Sequence, residues 1–190
     1  MDWDENMAKA CPELVKILEK MAIAEEAGDE FKGRFWDAGT VIHTGGDIFL
    51  RKPADIDREG FLESQKEYSP VKFMLKEPAF CEMLWSEHVG PKALMLTITK
   101  DEKYIGYCGI NNTAEDPWEI GIEILPQWTG KGIGYIAISG MLEAIKARLG
   151  ITEFLVRIRP DNIASQRLFK RLGAELREPV GQVLEFSLRW

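Results

Sequence analysis

Between residues 12 and 27, Leu14, Ile17, Leu18, Met21 and Ala22 fall at helical spacing, with Pro12 suited to a first turn and Gly28 to a stop. That pattern predicts an amphipathic helix. Gly39, Gly45 and Gly46 then punctuate residues 33–46, which read as a loop or short strand. Asp47–Lys52 has strand character, Ile56–Tyr68 reads as a helix, and Pro78–His88 as a second helix carrying Phe80, Met83, Leu84 and Trp85. Ala93–Thr99 and Tyr104–Ile110 are β-rich runs separated by Lys100-Asp101-Glu102-Lys103, a length and polarity that favour a hairpin. Next come a strand at Trp118–Leu125, a helix over about Gly132–Arg148, a buried strand at Ile151–Arg159 closed by Pro160, and a helix from Asn162. A closing hairpin over Ala174–Arg189 turns near Pro179-Val180-Gly181.

The glycine-punctuated stretch marks a boundary, so residues 1–46 are expected to form a helical extension and residues 47–190 one domain. With 190 residues and 45% apolar content, the chain can bury one good core. Its net charge of −7 is uneven: residues 1–30 carry nine acidic and three basic residues, while residues 127–190 carry ten basic and six acidic. The C-terminal half therefore suits a polyanionic ligand, although a solvated basic face would look the same. No basic stripe interleaved with aromatics is present, which argues against nucleic acid. No apolar run approaches the roughly 20 residues that span a bilayer, and Met1-Asp2-Trp3-Asp4-Glu5 is acidic where a secretion signal would be basic, so a cytoplasmic protein without membrane partners is expected. Cys11, Cys81 and Cys108 form no Cys-x-x-Cys or Cys/His cluster, which disfavours a disulfide framework and any metal site.

The candidate chemistry begins at Gln127-Trp128-Thr129-Gly130-Lys131-Gly132-Ile133-Gly134, between a strand and a helix. Glycines at such a junction let backbone amides and the positive end of the helix dipole approach an anion. The spacing fits neither a Walker loop, because Lys131 is followed by Gly132, nor the dinucleotide fingerprint, because the glycines are spaced by two throughout. It resembles the Q/R-x-x-G-x-G/A signature of the GNAT superfamily of N-acetyltransferases, with Gln127, Gly130 and Gly132 at its fixed positions. One strand later, Asn162-Ile163-Ala164-Ser165 and the closing Leu172-Gly173-Ala174 resemble the family helix that packs beside the pantetheine arm of the cofactor. The resemblance covers about residues 47–190 and is nearest the ribosomal-protein N-terminal acetyltransferase branch.

It implies an α+β fold: a twisted mixed sheet of about seven strands flanked by helices, with strands four and five splayed. It also implies acetyl-CoA as cosubstrate. Amides around Gly130, Gly132, Ile133 and Gly134 would hold the pyrophosphate, the backbone at Ile124 and Leu125 would pair with pantetheine amides, and Gln127, Asn162 and Phe169 would complete the cofactor site. Lys131 could screen phosphate charge or be a plain surface lysine. Asn162 is also a natural helix N-cap that Ser165 could back up, and Trp128 reads as a cover for the loop.

Attack of an amine on a thioester needs a base and something to meet the leaving thiolate. Strand alternation puts Glu119, Gly121 and Glu123 on one face, so both carboxylates are candidates for catalysis, with Glu119 the preferred base; solvated strand carboxylates are the alternative. Many family members carry a tyrosine where this chain has Phe169, which has no proton to give. Water, Tyr107 or Tyr135 could substitute, or transfer is slow or absent. His43 and His88 read as surface or packed residues, His88 being the one that could reach a cleft.

The resulting expectation is direct acetyl transfer in a ternary complex to a primary amine, either a protein N-terminus or a small-molecule amine, since no activated Cys or Ser nucleophile is apparent. The alternatives are a non-catalytic acyl-CoA-binding regulatory module, and a scaffold whose N-terminal helix buries its apolar face on a partner, such as the second copy of a homodimer.

Overall fold

The computed structural model describes residues 41–69, 72–90, 94–112, 116–177 and 181–190, so the predicted helix at 12–27 and the turn at Pro179-Val180 lie outside the described residues. The strands are β1 (Val41–Gly45), β2 (Ile48–Arg51), β3 (Leu94–Lys100), β4 (Lys103–Asn112), β5 (Trp118–Ile124), β6 (Glu153–Ile158), β7 (Glu175–Leu176) and β8 (Leu184–Arg189). The helices are α1 (Arg58–Tyr68), α2 (Pro78–Val89), α3 (Ile133–Leu149) and α4 (Ile163–Arg171), with short 3-10 turns at Asp55–Asp57, Lys72–Lys76 and Pro126–Trp128. All eight strands join one sheet in the order β1-β2-β3-β4-β5-β6-β8-β7. This is the mixed sheet flanked by helices that the family resemblance implies. Its extra strand is β1, which pairs with β2 where the sequence left a loop or short strand open.

Each pairing is antiparallel except β5 with β6. That parallel pair holds register only at Trp118↔Phe154 and Glu119↔Leu155. Beyond Glu119 the strands part, while β5 stays paired to β4 as far as Gly106↔Ile124. These are the fourth and fifth strands counted from Asp47, and the divergence is the expected splay.

Two layers cover the sheet. On one face α3 buries Ile133, Ala137, Ile138, Met141, Leu142 and Ile145 in the main core, which also takes in Ile120, Phe154, Val156 and Ile158. Its approach to β1 is close: a Cβ on Gly140 would collide with Thr44. On the other face α1 and α2 carry Phe61, Phe80 and Trp85. There too a glycine sets the distance, since a Cβ on Gly60 would lie 2.5 Å from the ring of Tyr104 on β4. The hairpin between β3 and β4 turns through Asp101 and Glu102, both at positive φ (49° and 62°), the mirror-type turn whose twist suits a two-residue hairpin.

Candidate active site

The splay opens a groove of about 1220 Å³ whose walls include Ile124 of β5, the loop at Gly130 and Gly132, and Asn162 and Leu168 on the far side. Gly132 is the N-cap of α3, at φ 78°, and makes no side-chain cap hydrogen bond. The first intrahelical bond after it runs from Ile136 N–H to the Gly132 carbonyl, so the preceding amides of the first turn have no helical acceptor. Gly130 adopts the same left-handed conformation (φ 72°), and a Cβ on either glycine would project into open space. What requires glycine here is the backbone conformation. The arrangement fits an anion: unpaired amides at a helix start, with Arg159, Arg167 and Arg171 among the residues lining the same groove. At the rim, Lys131 Nζ lies 4.7 Å above the Trp128 ring and the Arg171 guanidinium 4.2 Å above Tyr135.

The predicted cofactor residues divide. Ile124, Gly130, Gly132, Ile133, Gly134 and Asn162 line the groove. Gln127 lies exposed on the 3-10 turn and Lys131 folds over Trp128, neither on the groove wall. The backbone of Leu125 is engaged elsewhere, its N–H donating to the Ile105 carbonyl at 2.9 Å and its carbonyl accepting from Trp128 N–H at 2.8 Å. Alternation along β5 then turns the peptide group of Ile122, which sequence reasoning did not single out, away from β4 and towards the split. Asn162 caps α4, its Oδ1 accepting from Ser165 N–H at 3.1 Å. Phe169 is buried, 2% exposed, and is among the residues lining a second cavity.

That smaller cavity, about 240 Å³, adjoins the groove and shares Ile122, Glu123, Arg159, Asn162 and Ser165 with it. Glu123 is its carboxylate. It sits directly across from Tyr107 in the β4–β5 register, and Tyr107 donates to Glu123 Oε2 at 3.3 Å. Gln65 of α1 reaches both, donating to Glu123 Oε1 at 3.3 Å and to the Tyr107 hydroxyl at 3.4 Å. Burial raises the Glu123 pKa above the ordinary carboxylate range, against the lowering effect of its hydrogen bonds. Burial, and next the nearby Glu123 charge, push the Tyr107 phenol well above its ordinary value, so it keeps its proton.

Glu119 has a different environment. It is buried and bonded to Arg157, Oε2 to Nη1 at 2.7 Å, and it lines neither cavity. Arg157 also reaches Glu185 at 3.3 Å, which in turn contacts Arg177. A carboxylate in such a pair compensates a charge. His88 lines neither cavity; it stacks on Phe61 with ring centroids 4.2 Å apart and meets Tyr107 edge-on.

A family model described as acetyltransferase (GNAT) domain matches residues 47–175. The chain belongs to this family. As a GNAT acetyltransferase it is 28% identical, over 121 residues, to a Bacillus subtilis (strain 168) protein named as a ribosomal protein bS18-alanine N-acetyltransferase, an alignment covering 64% of this chain and 75% of that one. Its fold is shared with a Vibrio cholerae structure described as a ribosomal-protein-serine acetyltransferase, at TM-score 0.63 and 18% identity, over 80% of this chain and 98% of that one. A PaiA N-acetyltransferase from Thermoplasma acidophilum, solved with coenzyme A, superposes at TM-score 0.62 and 20% identity over 76% of this chain and all (100%) of that one. Within this GNAT domain the groove lies where the Gly130–Gly132 loop and the splayed strands meet. Among its described residues no group of three or more His, Cys, Asp and Glu could hold a metal ion, and no helix is long and apolar enough to cross a membrane.

Proposed function

We propose that this chain transfers an acetyl group from acetyl-CoA directly to a primary amine in a ternary complex, with Glu123 rather than Glu119 as the base. The observation that carries the reading is the split itself, which joins a groove shaped for a phosphate-bearing cofactor to a cavity holding one carboxylate without a cationic partner in the hydrogen-bond network around it. Acetyl-CoA supplies an acyl carbon activated as a thioester. The chain's part is to orient and to move protons. Glu123 accepts a proton from the attacking amine, and its raised pKa brings it nearer to neutrality, where a general base works best. Tyr107 donates its proton to the departing sulfur and recovers one from Glu123, so the amine proton ends on the thiol. Phe169 contributes an apolar wall. Residues 47–190 are taken as the transferase domain of a cytoplasmic enzyme, β1 as an edge strand added to it, and a protein N-terminus as the acceptor, in line with the names of its relatives.

Phe169 also favours a second reading, a binding module without turnover. One experiment separates the two. Coenzyme A should raise the melting temperature of wild type and of Glu123→Gln alike, because the carboxylate serves the amine and not the cofactor. Transfer to a panel of amines should fall on the order of 10²–10⁴-fold in Glu123→Gln, the usual worth of a positioned base. The residual activity of Glu119→Gln should follow its loss of stability. Wild type that binds coenzyme A but acetylates nothing would establish the binding module; full activity in Glu123→Gln would remove that residue from the mechanism.

A further inference from the structure

Asn111 is out of place in a strand. Asparagine is a poor strand former, yet it sits in β4 opposite a glycine-containing stretch of β5. The ladder passes from Ile110↔Ile120 to Asn112↔Glu119, which leaves Asn111 as the unpaired residue of a bulge. Bulges re-aim a side chain, and this one sends the Asn111 carboxamide over Gly121 into the wall of the small cavity. The fit is close: a Cβ on Gly121 would collide with the amide nitrogen and lie 2.7 Å from Oδ1. Gly121 has no left-handed φ to explain its choice. Its role is to leave room for the carboxamide. The two residues therefore form a matched pair, with Gly121 two positions from Glu123 along β5.

Same-face neighbours on a strand are about 7 Å apart. One extended residue of an acceptor, about 3.5 Å, plus one hydrogen bond, about 3 Å, covers that span. A carboxamide offers a donor and an acceptor, the complement of a peptide group. We propose that Asn111 recognises the acceptor by hydrogen bonding the peptide group next to the reactive α-amine, so that a peptide N-terminus is preferred to a simple alkylamine. This rests on the amine-transferase reading above.

The test compares kcat/KM for a panel of tetrapeptides with free α-amines and for n-butylamine, in wild type, Asn111→Ala and Gly121→Ala. Asn111→Ala should lower the peptide-to-butylamine preference about tenfold to a hundredfold, the range for a lost hydrogen bond with its partner left unmet. Gly121→Ala should lower it in the same direction, since the new methyl displaces the carboxamide without touching the acceptor's amine. Melting-temperature shifts with coenzyme A should persist in both variants, reporting a folded cofactor site. An unchanged preference in Asn111→Ala overturns the inference. So does wild type that acetylates butylamine but no peptide, and that result leaves the transferase reading intact. Acetylation of neither amine by a wild type that binds coenzyme A overturns the transferase reading and the inference together.

Discussion

His88 gives the most quantitative test of the fold around the site. Its ring is packed among Phe61, Trp85 and Tyr107 at centroid distances of 4.2, 5.7 and 4.9 Å, and 7% of the residue is exposed. Nε2 has no hydrogen-bond partner. Burial lowers the pKa from 6.5 to about 4, with the distant Asp57 charge a smaller opposing influence. Because the folded pKa lies below the unfolded one, the unfolded chain takes the proton first as pH falls. Stability is lost from about pH 6.5 down to about pH 4 and then levels off for this group. Between pH 7.5 and pH 5 the loss works out at about 2 kcal/mol, or roughly 4–8 °C in Tm for a chain of this size. His88→Phe keeps the stacking and removes the titration. Denaturant unfolding of both proteins at the two pH values gives the comparison, and the readout is the change in the difference between them. Any packing strain from the larger ring cancels. Acid titration of carboxylates is common to both chains and cancels too. If wild type and variant lose stability in parallel, His88 is not held neutral by burial and the aromatic box around Tyr107 is wetter than described.

Two further outcomes probe the groove and the cavity beside it. Gly132→Val should abolish the coenzyme A-induced rise in Tm, because a β-branched residue does not tolerate φ 78° at the α3 N-cap; a retained shift would detach the loop from cofactor binding. Phe169→Tyr adds a hydroxyl at a buried site and should cost about 1–3 kcal/mol in stability if it finds no partner, whereas a gain in kcat would mean that thiolate departure limits a site lacking only its usual acid.

The glycine loop between strand and helix was legible because its signal is local: glycines, strand end and helix start are contiguous in sequence. The choice between Glu119 and Glu123 was not. Alternation placed both on one face, but what distinguishes them is brought in by tertiary structure, Arg157 from the next parallel strand and Gln65 from a helix 58 residues before Glu123. Tyr107 could be named from sequence only as one of two candidate phenols, since its position opposite Glu123 depends on a hairpin register that a bulge shifts. Leu125 was assigned by analogy to the cofactor's backbone contacts, but β4 takes its N–H and the turn that follows takes its carbonyl. Asn111 carried a signal in hindsight, an Asn-Asn pair ending a strand, and nothing in one sequence says that such a pair marks a bulge.

In most sheets the central strands are the slowest to exchange their amide protons and the edges invite other chains. With only two residue pairs joining β5 to β6, this sheet carries an edge in its middle. Past Glu119 the two halves are tied by side chains, Ile120 on one side and Phe154, Val156 and Ile158 on the other, gathered under α3. An interior edge of this kind lies between packed layers rather than on the outside of the sheet, and it opens onto the groove instead of onto other chains. The peptide group of Ile122, turned towards the gap, should therefore exchange its amide proton faster than its neighbours paired to β4, and a ligand that pairs with it should slow that exchange.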